Sequence, residues 1–190
     1  DAVPIIDENR IIVKEGLKRL SQPGNVGMYH LLKVCSLLGR KISTEMVGFI
    51  IAPKINAPGR IAHPQLALDL FLTQDQAEAD KMAHELANIN KKRMEINRQI
   101  RDEALEMIEK HYKNDCFLVL HNDSWNKGVI GIVASTIVEL LHKPTVIISE
   151  GYGSVRTVPE YPLIEPLKAC SDLFERWGGH PMAAGLKIKK

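Results

Sequence analysis

No apolar run in this chain approaches the ~18–20 residues that a membrane-spanning helix requires, so a helical membrane protein is excluded. A charge excess of one sign is lacking too: 25 Lys and Arg stand against 23 Asp and Glu in 190 residues, a formal net charge of +2. An anionic partner must therefore be gripped locally rather than drawn in by a global field. Cysteine is scarce, with Cys35, Cys116 and Cys170 far apart and odd in number. That argues against a disulfide framework or a zinc site and for reduced thiols in the cytoplasm. Catalytic signatures are missing as well. There is no Asp-x-Asp pair, no Asp-His-His triplet, no P-loop and no nucleophile elbow. The chain by itself therefore lacks a complete catalytic apparatus. Neither an initiator Met nor a signal peptide precedes Asp1-Ala2-Val3-Pro4-Ile5-Ile6, which reads like the end of a buried strand. The expectation is a segment of a longer protein.

What is present falls into two patterns. Helical spacing dominates first: a helix over 8–20 capped by Asp7, another near 28–38 closed by Gly39, and a short one after Ser43. Two prolines and a glycine make 52–60 read as irregular, with a helix over 64–72. Thr73-Gln74-Asp75-Gln76 reads as a capping box. From there no Pro or Gly interrupts the chain before Gly128. One helix to about Tyr112 would be roughly 57 Å long, which suits a bridge between two bodies. Beyond it, strands at 116–121, 144–149, 154–158 and 186–189 alternate with helices at 128–141 and 163–174. The fold class expected is α/β: a helical segment (1–72), a long connecting helix (73–114) and a small α/β domain (115–190).

Four stretches carry chemistry. Asn56-Ala57-Pro58-Gly59-Arg60 joins an amide to a guanidinium that can fork two hydrogen bonds to one phosphate; a helix-connecting turn with Arg60 on a carboxylate explains the spacing equally. In Gly151-Tyr152-Gly153-Ser154-Val155-Arg156-Thr157, strand alternation puts Ser154 and Arg156 on one face, although glycine-rich turns before strands are common. Trp125–Ser135 joins a polar turn to an apolar helix whose N-terminus could face an anion; a buried core helix is the plainer account. Arg176-Trp177-Gly178-Gly179-His180-Pro181-Met182-Ala183-Ala184-Gly185 is the most specific stretch, with His180 among small residues that leave backbone room for a ligand. The basic residues Lys91, Lys92, Arg93, Arg98 and Arg101 interleave with acids and read as a solvated helix face.

Taken in order, APKINAPGRIAHPQLALDLFLT, WNKGVIGIVAS, GSVRT and GGHPMAAG resemble the RecJ-like exonucleases of the DHH phosphoesterase superfamily, and the opening DAVPIIDENRIIVKEGLKRL does so too. The resemblance implies the C-terminal part of a catalytic core, with the small α/β domain as its DHHA1-like, nucleic-acid-binding part. It implies an enzyme that cuts phosphodiester bonds of single-stranded DNA with Mn2+ or Mg2+, in the cytoplasm, in repair or recombination. By the same resemblance Asp1 stands where the last metal-ligand aspartate would be, and Arg60, Ser154 and Arg156 hold phosphates beside Gly178 and Gly179. Asn56 and His180 would sit beside the scissile region, as catalytic residues. Lys54 stands where an arginine is common, and Val155 replaces a glycine. The upstream acidic motifs are absent, so the isolated segment is expected to be inactive and to hold no metal stably. Rival readings are a phosphodiesterase for short oligonucleotides or cyclic dinucleotides, and a catalytically silent DNA-binding scaffold.

Overall fold

The computed structural model describes residues 3–189, and the chain divides into two compact units, 1–92 and 93–190. In the first unit, α1 (Asp7–Leu20) and α2 (Val26–Val34) lead to α3 (Thr44–Met46), a π-helical turn (Val47–Ile51) and the short α4 (Ala52–Asn56) and α5 (Pro58–Ile61). Then come α6 (Gln65–Leu72) and the first part of α7 (Gln76–Met107), the long helix. Asn25 caps α2 by accepting from Met28 N, and Ser43 caps α3 by accepting from Met46 N. Asp7 does not cap α1: it is the first helical residue, and Ile6 precedes it. α2 stops earlier than Gly39, because Ser36 enters the left-handed region at φ 58° and ends the helix. The 52–60 segment is helical after all. Pro53 and Pro58 sit in the first turns of α4 and α5, where a missing N–H costs nothing. Leu31, Leu32, Leu70, Ala79, Ala83 and Leu86 form the core of this unit.

The start of α7 lies two residues later than expected. Asp75 Oδ1 accepts from Glu78 N at 2.8 Å, while the Thr73 hydroxyl donates to the Glu78 carboxylate at 2.6 Å. Below this cap, Asp80 accepts from His30 Nδ1 at 2.9 Å and from Lys33 Nζ at 2.8 Å, tying α7 to α2. The hydrogen bonds of Lys33 and then His30, reinforced by the Lys33 and His84 charges, hold the Asp80 carboxyl below its ordinary range.

The second unit holds a five-stranded sheet in the order β1-β2-β3-β5-β4: β1 (Leu118–His121), β2 (Thr145–Ser149), β3 (Tyr152–Arg156), β4 (Phe174–His180) and β5 (Ala183–Ile188). Only β1 and β2 are parallel, joined through α8 (Ile130–Leu141), as such a crossover requires. Leu118, Leu120, Ile130, Val133, Ile137 and Ile147 are buried where α8 covers one face. The other face packs Val146, Val155, Ala184 and Leu186 against Leu163 and Leu167, the latter on α9 (Ile164–Ala169). The helix expected over 163–174 is therefore short, and the glycine-rich 174–180 is a strand. Apart from Phe174 and Trp177, which pack on the core, its side chains are small or polar, and its pairing with β5 is set by distant residues rather than local propensity.

Candidate nucleic-acid interface

Strand register decides which side chains share a face. Arg156 pairs with Ala183, which pairs with His180; Ser154 pairs with Gly185, which pairs with Gly178. Tyr152 pairs with Lys187, which pairs with Arg176. Directly opposed residues lie on one side of a sheet, so these nine form a continuous 3 × 3 patch on the α8 face. α8 packs over β2 and β3 on this face. The patch combines three cations (Arg156, Arg176, Lys187), one imidazole, one hydroxyl, one phenol and three positions with no side chain or a methyl.

The anchor of the patch is the meeting of Ser154, Arg156 and Gly131. A Cβ on Gly131 would lie 3.1 Å from Arg156 Nη2 and 3.2 Å from Ser154 Oγ. Both side chains therefore point at the first turn of α8, whose second residue is Gly131. The positive end of the helix dipole sits there, while the N–H groups of Val129, Ile130, Ile132 and Val133 already donate to Asn126 O and Val129 O. A guanidinium, a hydroxyl and a helix N-terminus converging on one spot have the make-up of an anion clamp. Arg156 is braced from behind, its Nη1 donating to Val155 O at 2.7 Å.

The turn that delivers β3 is equally specified. Glu150 and Gly151 both have positive φ (50° and 76°), the backbone of a two-residue I′-type hairpin turn. Asp123 fixes it by accepting from Glu150 N at 2.7 Å, and that bond, followed by His121, holds the Asp123 carboxyl below its ordinary range. The polar turn before α8 is packed in: Trp125 Nε1 donates to Glu103 at 2.7 Å, and Trp125 O accepts from Ser149 Oγ at 2.6 Å.

The glycines divide by role. A Cβ on Gly153 would strike Leu186 Cδ1 at 2.5 Å, and one on Gly179 would strike Ala183 O at 2.4 Å. Both face the packed side, so their smallness serves folding. Gly178 has nothing within 4 Å and Gly185 only Gly153 O at 4.0 Å, so bare backbone lies open beside Ser154. His180 is an exposed residue at the end of β4, two strands from Arg156 and roughly 10 Å away at ordinary strand spacing.

In the first unit, Asn56 and Arg60 are both exposed, four residues apart on the nearly continuous helical path of α4 and α5, hence on one side of it. Gly59 is within a helix, without positive φ and with only Pro64 Cβ nearby at 3.8 Å. Lys54 Nζ donates to Ile50 O at 3.1 Å. Asp1 lies outside the described residues. Among the described residues, no group of three or more His, Cys, Asp or Glu could hold a metal ion. None of their helices is long and apolar enough to cross a membrane.

The family model for the DHHA1 domain matches residues 114–190. Across all of this chain, the sequence is 37% identical to the single-stranded-DNA-specific exonuclease RecJ of Bacillus subtilis (strain 168), spanning 25% of that protein. The chain is RecJ-like throughout. Its identity to the RecJ of Thermus thermophilus is 35%, over 99% of this chain and 27% of that one. The crystal structure of the Thermus RecJ in complex with Mg2+ superposes with a TM-score of 0.89 at 34% identity, covering 98% of this chain and 29% of that one. An exonuclease RecJ bound to manganese gives 0.81 at 33% identity, over 98% of this chain and 47% of that chain. The RecJ-like chain thus spans about a quarter of the length of these two curated relatives. Of the residues singled out in the sequence, Ser154, Arg156, Gly178 and His180 share this face, and the register adds Arg176 and Lys187, which the sequence did not single out as site residues. The alternation Arg176-x-Gly178-x-His180 was the available signal, legible only once the segment is known to be a strand.

Proposed function

We propose that this chain is the substrate-holding segment of a metal-dependent exonuclease that degrades single-stranded DNA in the cytoplasm during repair or recombination. The reading rests on one observation: Ser154 and Arg156 converge at the first turn of α8, beside bare backbone at Gly185 and Gly178. This arrangement suits a phosphate, including a terminal one. Arg60 and Asn56 in the first unit add a further phosphate contact and an amide beside the scissile region. The division of labour follows 1–72 as the remainder of the catalytic domain, 73–114 as connector and 115–190 as the nucleic-acid-binding domain. Mn2+ or Mg2+ belongs to the complete protein, with Asp1 as one ligand. The isolated segment is inactive.

In this reading His180 donates a hydrogen bond to a nonbridging phosphate oxygen, one that strengthens as charge develops in the transition state. The test is His180→Ala in the complete protein. Because His180 is exposed, the melting temperature should hold. Single-turnover release of mononucleotides from single-stranded DNA should fall about 10²–10³-fold, as for loss of one oxyanion donor. A lowered melting temperature with normal turnover per folded molecule contradicts the role. Digestion confined to di- and trinucleotides would favour the oligonucleotide phosphodiesterase instead.

A further inference from the structure

The patch continues past the anion clamp into a groove of about 380 Å3 lined by Lys127, Tyr152, Arg176, Gly178, Gly185 and Lys187 among others. That volume suits a ligand of nucleotide size. Two ammonium groups approach the Tyr152 ring, Lys127 Nζ at 5.3 Å and Lys187 Nζ at 5.8 Å from its centroid, and an incoming base would take their place over the ring. Two carboxylates face the same groups. Glu150 lies 3.3 Å from Lys127, and Glu175 lies 2.5 Å from Lys187 and keeps it protonated above its ordinary range. These are partly exposed lysine–carboxylate pairs, weakened by solvent, so an incoming phosphate can displace them. Three glycines line the groove, and at two of them, Gly178 and Gly185, a Cβ would meet nothing closer than 4.0 Å, which leaves it open there.

We propose that this groove is a second subsite for single-stranded DNA, stacking one base on Tyr152 while Lys127, Lys187 and Arg176 take the flanking phosphates. The proposal rests on the reading that Ser154 and Arg156 hold phosphate. Tyr152 is four residues from Arg156 on the same face of β3, or about 13 Å along the strand. A stacked single strand rises about 3.4 Å per nucleotide, so about four nucleotides span Arg156 to Tyr152, and fewer if extended, with Ser154 lining the groove between them. Aromatic–base stacking is tolerant of sequence, and a tyrosine framed by ammonium groups binds any base whose backbone those groups can reach.

The experiment measures fluorescence anisotropy of the unaltered protein and its variants with 5′-phosphorylated oligothymidylates of two and twelve nucleotides, across a salt series. Tyr152→Leu should weaken twelve-mer binding about 5- to 150-fold, the range for loss of one stacked base, and Tyr152→Phe should restore it. Lys187→Gln combined with Glu175→Gln removes the cation without stranding its acid and should lower the salt slope by about 0.7. The dinucleotide, too short to reach Tyr152 when its 5′-phosphate is on Arg156, should bind all three variants as it binds the unaltered protein. If Tyr152→Leu and the double variant both bind the twelve-mer normally while Arg156→Ala does not, the groove is overturned and the clamp stands. If Arg156→Ala binds normally while the groove variants fail, the clamp is overturned and the groove stands. No twelve-mer binding by the unaltered protein at low salt overturns both. Should Tyr152→Leu fail to fold, the double variant and its salt slope decide alone.

Discussion

Gly131→Ala separates the needs of the fold from those of the clamp. The added methyl would stand 3.1 Å from Arg156 Nη2, 3.2 Å from Ser154 Oγ and 3.5 Å from Ser154 Cβ. These neighbours are mostly ends of side chains, which can give by a few tenths of an ångström without moving the sheet. Against that, alanine in a helix interior is favoured over glycine by ~0.8–1.0 kcal/mol, and by less in the first turn. Stability should therefore rise by about 0.5 kcal/mol, or some 1–2 °C in melting temperature for a chain of this size. Binding should move the other way. A hydrogen bond from a charged donor is worth about 1.5–3 kcal/mol, and a displaced guanidinium that keeps half of it loses about 1 kcal/mol, fivefold in Kd. The assay pairs a thermal melt with anisotropy on a 5′-phosphorylated single strand. Unchanged affinity with an unchanged or higher melting temperature would refute the clamp geometry. A fall of more than about 5 °C would refute the claim that only the ends of side chains must yield.

Two further perturbations probe the fold and its pH dependence. Gly179→Ala places a Cβ 2.4 Å from Ala183 O and 2.5 Å from Ala184 Cα, backbone that cannot step aside; it should cost about 1–3 kcal/mol and lower the melting temperature by several degrees, whereas Gly178→Ala, with nothing within 4 Å, should melt normally. The Asp80 carboxyl, held low by Lys33 and His30, adds stability that is fully present above the ordinary aspartate value of 3.8 and is lost as pH falls through its depressed folded value. Melting curves below pH 4 should accordingly decline less steeply for Asp80→Asn than for the unaltered protein, and parallel curves would remove Asp80 from the account.

How much could be read in advance varied with the range of the forces involved. α1, α7 and α8 follow from apolar spacing within a single element, and β1 and β2 from short β-branched runs, all local signals. The 52–61 region misled because prolines were read as breakers, although they begin helices there. β4 escaped because Gly178 and Gly179 have no strand propensity of their own; pairing with β5 holds them in the sheet. Within the site, Ser154 and Arg156 were legible from alternation along one strand. Arg176, Lys187 and Tyr152 join them only through a register spanning β3, β5 and β4, and no window on the sequence contains that information.

The central claim is that Arg156 neutralises a phosphate of a single strand at the first turn of α8. Its most direct test is the salt dependence of binding to a 5′-phosphorylated oligothymidylate, unaltered protein against Arg156→Ala. Loss of one phosphate contact should lower the slope of log K against log salt by about 0.7, the single-strand value per charge. It should also erase the preference for a phosphorylated over an unphosphorylated end. An Arg156→Ala protein with the same slope and the same end preference would contradict the account.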